Sequence, residues 1–176
     1  MTNRRMMTAA AVLAVLALPL SSGLAGAEAP SGQAGPSVLA SPPDKAGDVL
    51  ATGSITAVRP ADGFAPQDTI VCTPQVQNPH NSSHVNGTVN VVVTLKCTKA
   101  VPDIAIRAAL YRNNLLVKDS GQKNVANSSS AQNNAAVPCS NANYQGWMSY
   151  GVAFPPGYTP PTGSGSGFGN QVSITC

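Results

Sequence analysis

Few residues of this chain are equipped for chemistry, and their spacing limits what chemistry that is. The two histidines, His80 and His84, stand in the run Asn78-Pro79-His80-Asn81-Ser82-Ser83-His84. On a helix an i, i+4 pair would turn both imidazoles toward one metal ion. Here Pro79 and the Asn/Ser run impose a turn, and no acid stands close enough to be a third ligand, so neither a metal nor another cofactor is expected. A glycosidase pair would have to come from Asp68, Asp103 and Asp119. Asp103 follows Pro102 at an expected strand start and Asp119 precedes Ser120-Gly121 in an expected turn, both ordinary places for Asp. A serine hydrolase would carry its nucleophile on a G-x-S-x-G elbow, and the sequence has none.

The cysteines speak more clearly. Cys72, Cys97, Cys139 and Cys176 are separated by 25, 42 and 37 positions, whereas a structural zinc site draws on close pairs such as C-x-x-C. An even count in an exported chain reads as two disulfides, which leaves no thiol nucleophile. Trp147 is the remaining residue of interest. Its strand neighbours of the same parity are Gln145, Ser149, Gly151 and Ala153, so an aromatic there could stack on a sugar or fill a partner's pocket. The alternative is a Trp covered by leader residues or by the Pro-rich loop as part of a second small cluster. Tyr158 belongs to that loop, Phe154-Pro155-Pro156-Gly157-Tyr158-Thr159-Pro160-Pro161, which continues into the Gly/Ser run 163–167. With no helix following, it is no phosphate cradle, and it reads either as an exposed, shaped loop presenting Tyr158 or as a plain long hairpin connection.

The elements that position these residues follow period two. Val89, Val91, Val93, Leu95 and Cys97 share one parity against Thr88, Asn90, Thr94 and Lys96, the alternation of a half-buried strand. Ile104, Ile106, Ala108 and Leu110 repeat it, with Tyr111 on the other face. Asn113-Asn114 offers a two-residue turn, because Asn tolerates positive φ; it would set Leu110 opposite Val117 and Tyr111 opposite Leu116. Residues 121–136, rich in Asn and Ser, read as a loop with one or two weak edge strands. Tyr144, Met148, Tyr150, Val152 and Phe154 share the inner face of a later strand, and Val172, Ile174 and Cys176 that of the last. Segments 69–77 and 88–97 would form a hairpin that sets Cys72 opposite Cys97, and a second hairpin closing over Pro155–Gly169 would bring Cys139 to Cys176. Those two pairings are favoured among three. The fold expected is all-β, a small disulfide-stapled β-sandwich, immunoglobulin-like in general architecture.

Around this domain, placed at 67–176, the chain carries appendages. Arg4 and Arg5, the apolar run Thr8–Leu20 and Ala25-Gly26-Ala27 have the form of a secretory signal peptide over 1–27. Residues 28–66, rich in Ala, Pro and Gly, read as a mostly flexible leader, with a short strand at Thr52–Val58 and a loose stretch at Arg59–Pro66. Of ten basic residues, removal of Arg4 and Arg5 leaves eight against seven acids, a net charge of about +1. Such a scatter cannot build the basic stripe that phosphate backbones require, so nucleic acid is not an expected partner, nor is a membrane after processing.

The signal peptide, the Phe154–Pro161 segment with its Gly/Ser continuation, and the terminal Ile174-Thr175-Cys176 resemble small secreted proteins of Streptomyces-type actinobacteria. The resemblance implies export and transfers no activity. The cysteine spacing does not match secreted amylase or protease inhibitors or chromophore carriers. The expectation is a secreted, extracellular, non-enzymatic binding protein that meets a protein or a glycan through Trp147, Tyr158 and Gln145. An inhibitor inserting Pro155–Gly169 into a secreted hydrolase, and a small hydrolase using Asp103 or Asp119 with a histidine, are the alternatives.

Overall fold

A computed structural model describes residues 38–47, 51 and 53–176; the signal-peptide reading lies outside them. Seven strands follow in order: β1 (Ile55–Arg59), β2 (Asp68–Val76), β3 (His80–Asn81), β4 (Thr88–Arg112), β5 (Leu115–Pro138), β6 (Ala142–Ala153) and β7 (Thr162–Ile174). The fold is all-β and entirely antiparallel in its pairings. Among the described residues there is no helix long and apolar enough to cross a membrane.

One continuous sheet makes both layers. The first half of β4 pairs with β2 and β3, the second half with β6, and β5 runs along its opposite edge throughout. Between the pairs Lys96↔Ser130 and Val101↔Ser128 the register shifts, and at this corner the sheet turns over on itself. Pro102 lies just past it, where a missing backbone donor is tolerated at a bulge. The two expected strands, 88–97 and 104–111, are therefore one bent strand. Along the open side, Val58 and Thr159 exchange backbone hydrogen bonds of 2.9 Å and the Ala51 amide donates to the Phe168 carbonyl at 2.7 Å. The folded sheet is thereby brought close to a closed barrel.

The core has the expected parity. Val89, Val91, Val93, Leu95, Ile104, Ile106, Ala108 and Leu110 of β4 meet Ile70 of β2 and Tyr144, Met148, Tyr150 and Val152 of β6. The layers touch closely where Val76 of β2 lies over Gly146 and Gly169, since a Cβ on these glycines would stand 2.9 and 2.7 Å from its Cγ1, and where Ile55 of β1 lies over Gly163, whose added Cβ would stand 2.4 Å from its Cγ2. Both expected bridges are present, Cys72–Cys97 and Cys139–Cys176, and Cys72 faces Cys97 in register across β2 and β4. Asn113 and Asn114 have φ of 49° and 66°, the left-handed pair of a tight hairpin turn.

Three expectations need correcting. Residues 121–136 are not a loop with one or two weak edge strands but part of the long edge strand β5. Its Asn/Ser side chains are mostly exposed while its backbone pairs with β4, and only Val125, Ala131 and Ala135 turn toward the core, a sparse apolar pattern. The connection expected at Pro155–Gly169 is shorter, because Thr162–Gly169 already lie in β7. The glycine run suits a strand there because Tyr150 lies across it; a Cβ on Gly165 would meet the Tyr150 hydroxyl at 2.6 Å. Finally, a bulge after Leu110 sets that residue opposite Lys118 rather than Val117, while Tyr111 does face Leu116.

Candidate functional site

Two regions hold the residues singled out from sequence. The first is the outer face of the second layer. Alternation fails there: Ala105, Ala109 and Tyr111 of β4 and Gln145, Trp147 and Ser149 of β6 point away from the core yet are buried. Their cover is the chain's own segment 38–47, which crosses the face as an extended strap. Trp147, only 3% exposed, forms a second cluster with Ala109, Tyr111 and Phe168, against which Ala46 and Leu116 pack. The rings of Tyr111 and Phe168 meet edge to face at 5.2 Å, a favourable aromatic geometry. Trp147 is therefore on the expected face but not on an exposed one, because a segment with no hydrophobic period lies over it.

The strap is held largely by side chains of the sheet. Ser149 Oγ donates to the Ala40 carbonyl at 3.0 Å, Tyr111 Oη to the Pro43 carbonyl at 2.6 Å, and Gln145 Nε2 to the Gly47 carbonyl at 3.0 Å. Gln145 Nε2 also donates to the Gly169 carbonyl at 2.9 Å, so this residue is tied down rather than presented. Burial, with the nearby Asp119 and Asp44 charges, pushes the Tyr111 phenol well above its ordinary range, and it stays a hydrogen-bond donor at any physiological pH. A short antiparallel contact completes the attachment: the Ala46 amide donates to Asn114 O at 2.9 Å and the Leu116 amide to Asp44 O at 3.2 Å.

The second region is the end of the molecule carrying the β1–β2 and β6–β7 connections. Tyr158 is 7% exposed, its hydroxyl donating to Asp68 Oδ2. Asp68 Oδ1 accepts from Lys99 Nζ and from the Thr69 amide, and Arg59 Nη2 lies 3.6 Å from Oδ2. The Arg59 guanidinium sits 5.4 Å over the Tyr158 ring. Hydrogen bonding to Lys99, then to Tyr158, holds the Asp68 carboxyl down at about 2. Tyr158 is thus a latch that fixes the Pro-rich loop to β1 and β2, where an exposed contact residue was expected.

Beside this latch stands a residue the sequence reading passed over. Phe64 is fully exposed, at 104%, on the tip of the turn between β1 and β2. Asp62 and Ala65 exchange backbone hydrogen bonds of 3.2 Å across it, and Asp62 Oδ1 accepts the Phe64 and Ala65 amides at 3.1 and 2.9 Å. Those amides lower the Asp62 carboxyl below its ordinary range. Pro60 and Pro66 stiffen both flanks. The signal was there to be read: Asp62-Gly63 between prolines is a turn dipeptide, and an aromatic beside it is carried outward.

The residues proposed for hydrolysis are not brought together. His80 pairs with Asn90 at the start of β4 and bonds the Asn78 carbonyl. Asp103 and Asp119 belong to the other half of the sheet, opposite Ala153 and Ala109. Asp119 is bound by Arg107, Nε to Oδ1 at 2.9 Å, which lowers its carboxyl. Asp103 Oδ1 is buried with no hydrogen-bond partner among the described residues. Among the described residues no three His, Cys, Asp or Glu side chains are grouped as metal ligands would be. No family model, curated protein or solved structure matches the chain.

Proposed function

We propose that the chain is an exported, non-enzymatic binding protein that meets an extracellular protein or glycan at the end bearing Phe64. The observation that carries this reading is the fully exposed Phe64 ring on a turn braced by Asp62 and two prolines. Water contact on a whole aromatic ring forgoes burial worth about 2–3 kcal/mol, and ordering the turn before binding lowers the entropy that a partner must overcome. Two disulfides suit an oxidising compartment. The acids Asp68 and Asp119 are engaged by cations, which supports a structural role for both.

The inhibitor alternative loses its inserted loop, since most of Pro155–Gly169 is strand. Phe64 does not replace it as a substrate mimic, because a two-residue turn cannot lie extended across a protease cleft; it is shaped as a knob. The test is retention on the immobilised processed chain of supernatant proteins and cell-wall polysaccharide from the source cells, with Phe64→Ala as control. A saturable species held by the wild type and lost with Phe64→Ala, at unchanged unfolding midpoint, supports the reading. Equal retention by both chains, or turnover on peptide and polysaccharide panels, refutes it.

A further inference from the structure

The strap over Trp147 is attached in the manner of a bound peptide. Three donors from the sheet, Ser149 Oγ, Tyr111 Oη and Gln145 Nε2, each at 3.0 Å or less, meet main-chain carbonyls at residues 40, 43 and 47 of the strap. Carbonyl recognition reads backbone shape rather than side-chain identity. It also suits proline, which has no amide donor to satisfy, and Pro42-Pro43 lie in the middle of the segment. Two contacts run the other way, from the Leu39 amide to Gln122 Oε1 at 3.1 Å and from the Ala46 amide to the Asn114 carbonyl at 2.9 Å.

Little of the strap's own side-chain surface is committed. Leu39 is buried, Pro42, Ala46 and Gly47 are half-buried, and residues 40, 41 and 43–45 are exposed. Gly47 is small for a reason: a Cβ there would stand 3.2 Å from Phe168 Cε2. The main core cluster contains no strap residue, being built from Ala57 to Ile174 with Ala51 and Ile55 packed against it. The segment is thus a layer added to a face already complete in its donors and aromatic floor.

We propose that the outer face of β4, β6 and β7 is a peptide-binding groove for an extended, proline-containing segment with an apolar residue at its N-terminal end and Ala-Gly at its C-terminal end. Residues 38–47 fill it in cis, and a segment of the same pattern from another chain fills it once they are released. Aromatic-floored grooves that take preformed extended proline segments are a recurring recognition mode. The tether explains why the site is closed: an attached ligand acts at an effective concentration on the order of millimolar, which a free peptide seldom reaches. This groove is separate from the Phe64 end, so either proposal can fail without the other.

Trp147 is the one tryptophan of the chain, so its emission reports the groove directly. In the processed chain, residues 48–50 are replaced by a site-specific protease sequence, which leaves Ala51 in place, the product is cut, and the released segment is removed by dialysis. Emission should shift to the red while far-ultraviolet dichroism and both disulfides persist. Synthetic peptide 38–47 should reverse the shift saturably, a scrambled peptide should not, and Tyr111→Phe or Ser149→Ala in the cut chain should weaken binding by about two- to tenfold, the loss of one hydrogen bond. The uncut chain should ignore micromolar peptide. Loss of fold on cutting would make the strap a structural element and overturn the proposal. Unshifted emission after release, or equal rescue by the scrambled peptide, would overturn it as well.

Discussion

Gly146 tests the account of how the layers meet. A Cβ added there would lie 2.4 Å from Val91 Cγ2 and 2.9 Å from Val76 Cγ1, against an ordinary carbon–carbon contact of roughly 3.5–4.0 Å. Val91 is fully buried in the middle of the sheet, and a β-branched side chain has little rotamer freedom with which to step aside. Gly146→Ala should therefore cost about 1–3 kcal/mol, as overpacking does. Val91→Ala alone should cost about 1.5–3 kcal/mol through lost burial. In the double variant the new methyl enters the space that Val91 vacated, so the combined cost should fall short of the sum by at least about 1 kcal/mol, a coupling typical of touching residues. Denaturant unfolding of the oxidised protein, followed by dichroism and by Trp147 emission, completes the cycle. Costs that add within about 0.5 kcal/mol, the limit for independent sites, would mean that β6 does not approach β4 and β2 as described.

Two further outcomes are expected. Replacing Cys139 and Cys176 together by Ser opens a bridge spanning 37 positions; the chain-entropy relation puts the cost at about 4 kcal/mol, read as a fall in the denaturant midpoint, and no fall would contradict it. Asp68 is held at about 2 chiefly by Lys99 and then Tyr158, below an unfolded value of about 3.9. Its contribution is therefore fully present above pH ~4 and lost as pH drops toward 2. Proteolysis of the 154–161 loop should accelerate across that window, and Asp68→Asn should make cleavage fast and flat with pH; a wild-type profile equally flat would dismiss the latch.

What could be read from the residues was whatever one buried face dictates. Val89 to Cys97 alternate because one side of β4 meets the core, and the same parity aimed Cys72 and Cys97 at each other. Asn113-Asn114 announced its turn because few residues accept positive φ. β5 escaped notice because its core-facing side carries only small or widely spaced apolar residues, Val125, Ala131, Ala135 and Val137, among Asn and Ser, and backbone pairing holds the rest of this edge strand. The corner at 97–102 looked like a gap between strands, since Pro102 ordinarily marks an end. Trp147 was given the right face, and of the two environments weighed for it the structure shows cover by leader residues in a second small cluster. Its cover comes from residues 38–47, whose recognition rests on carbonyls that every residue type possesses. Phe64 was overlooked because composition alone made Arg59–Pro66 look loose, although the Asp62 side chain braces it.

The placement of the two crosslinks decides what an extracellular protease could do to this molecule. Each bridge encloses an exposed connection: 82–87, between β3 and β4, lies inside Cys72–Cys97, and 154–161 inside Cys139–Cys176. A nick in either leaves the pieces covalently joined and every strand in place. A cut at Asn113-Asn114 would fall outside both loops and divide the chain into halves joined by pairing alone. Scission between residue 47 and β1 would shed only the strap, leaving a smaller molecule with its aromatic floor open to water.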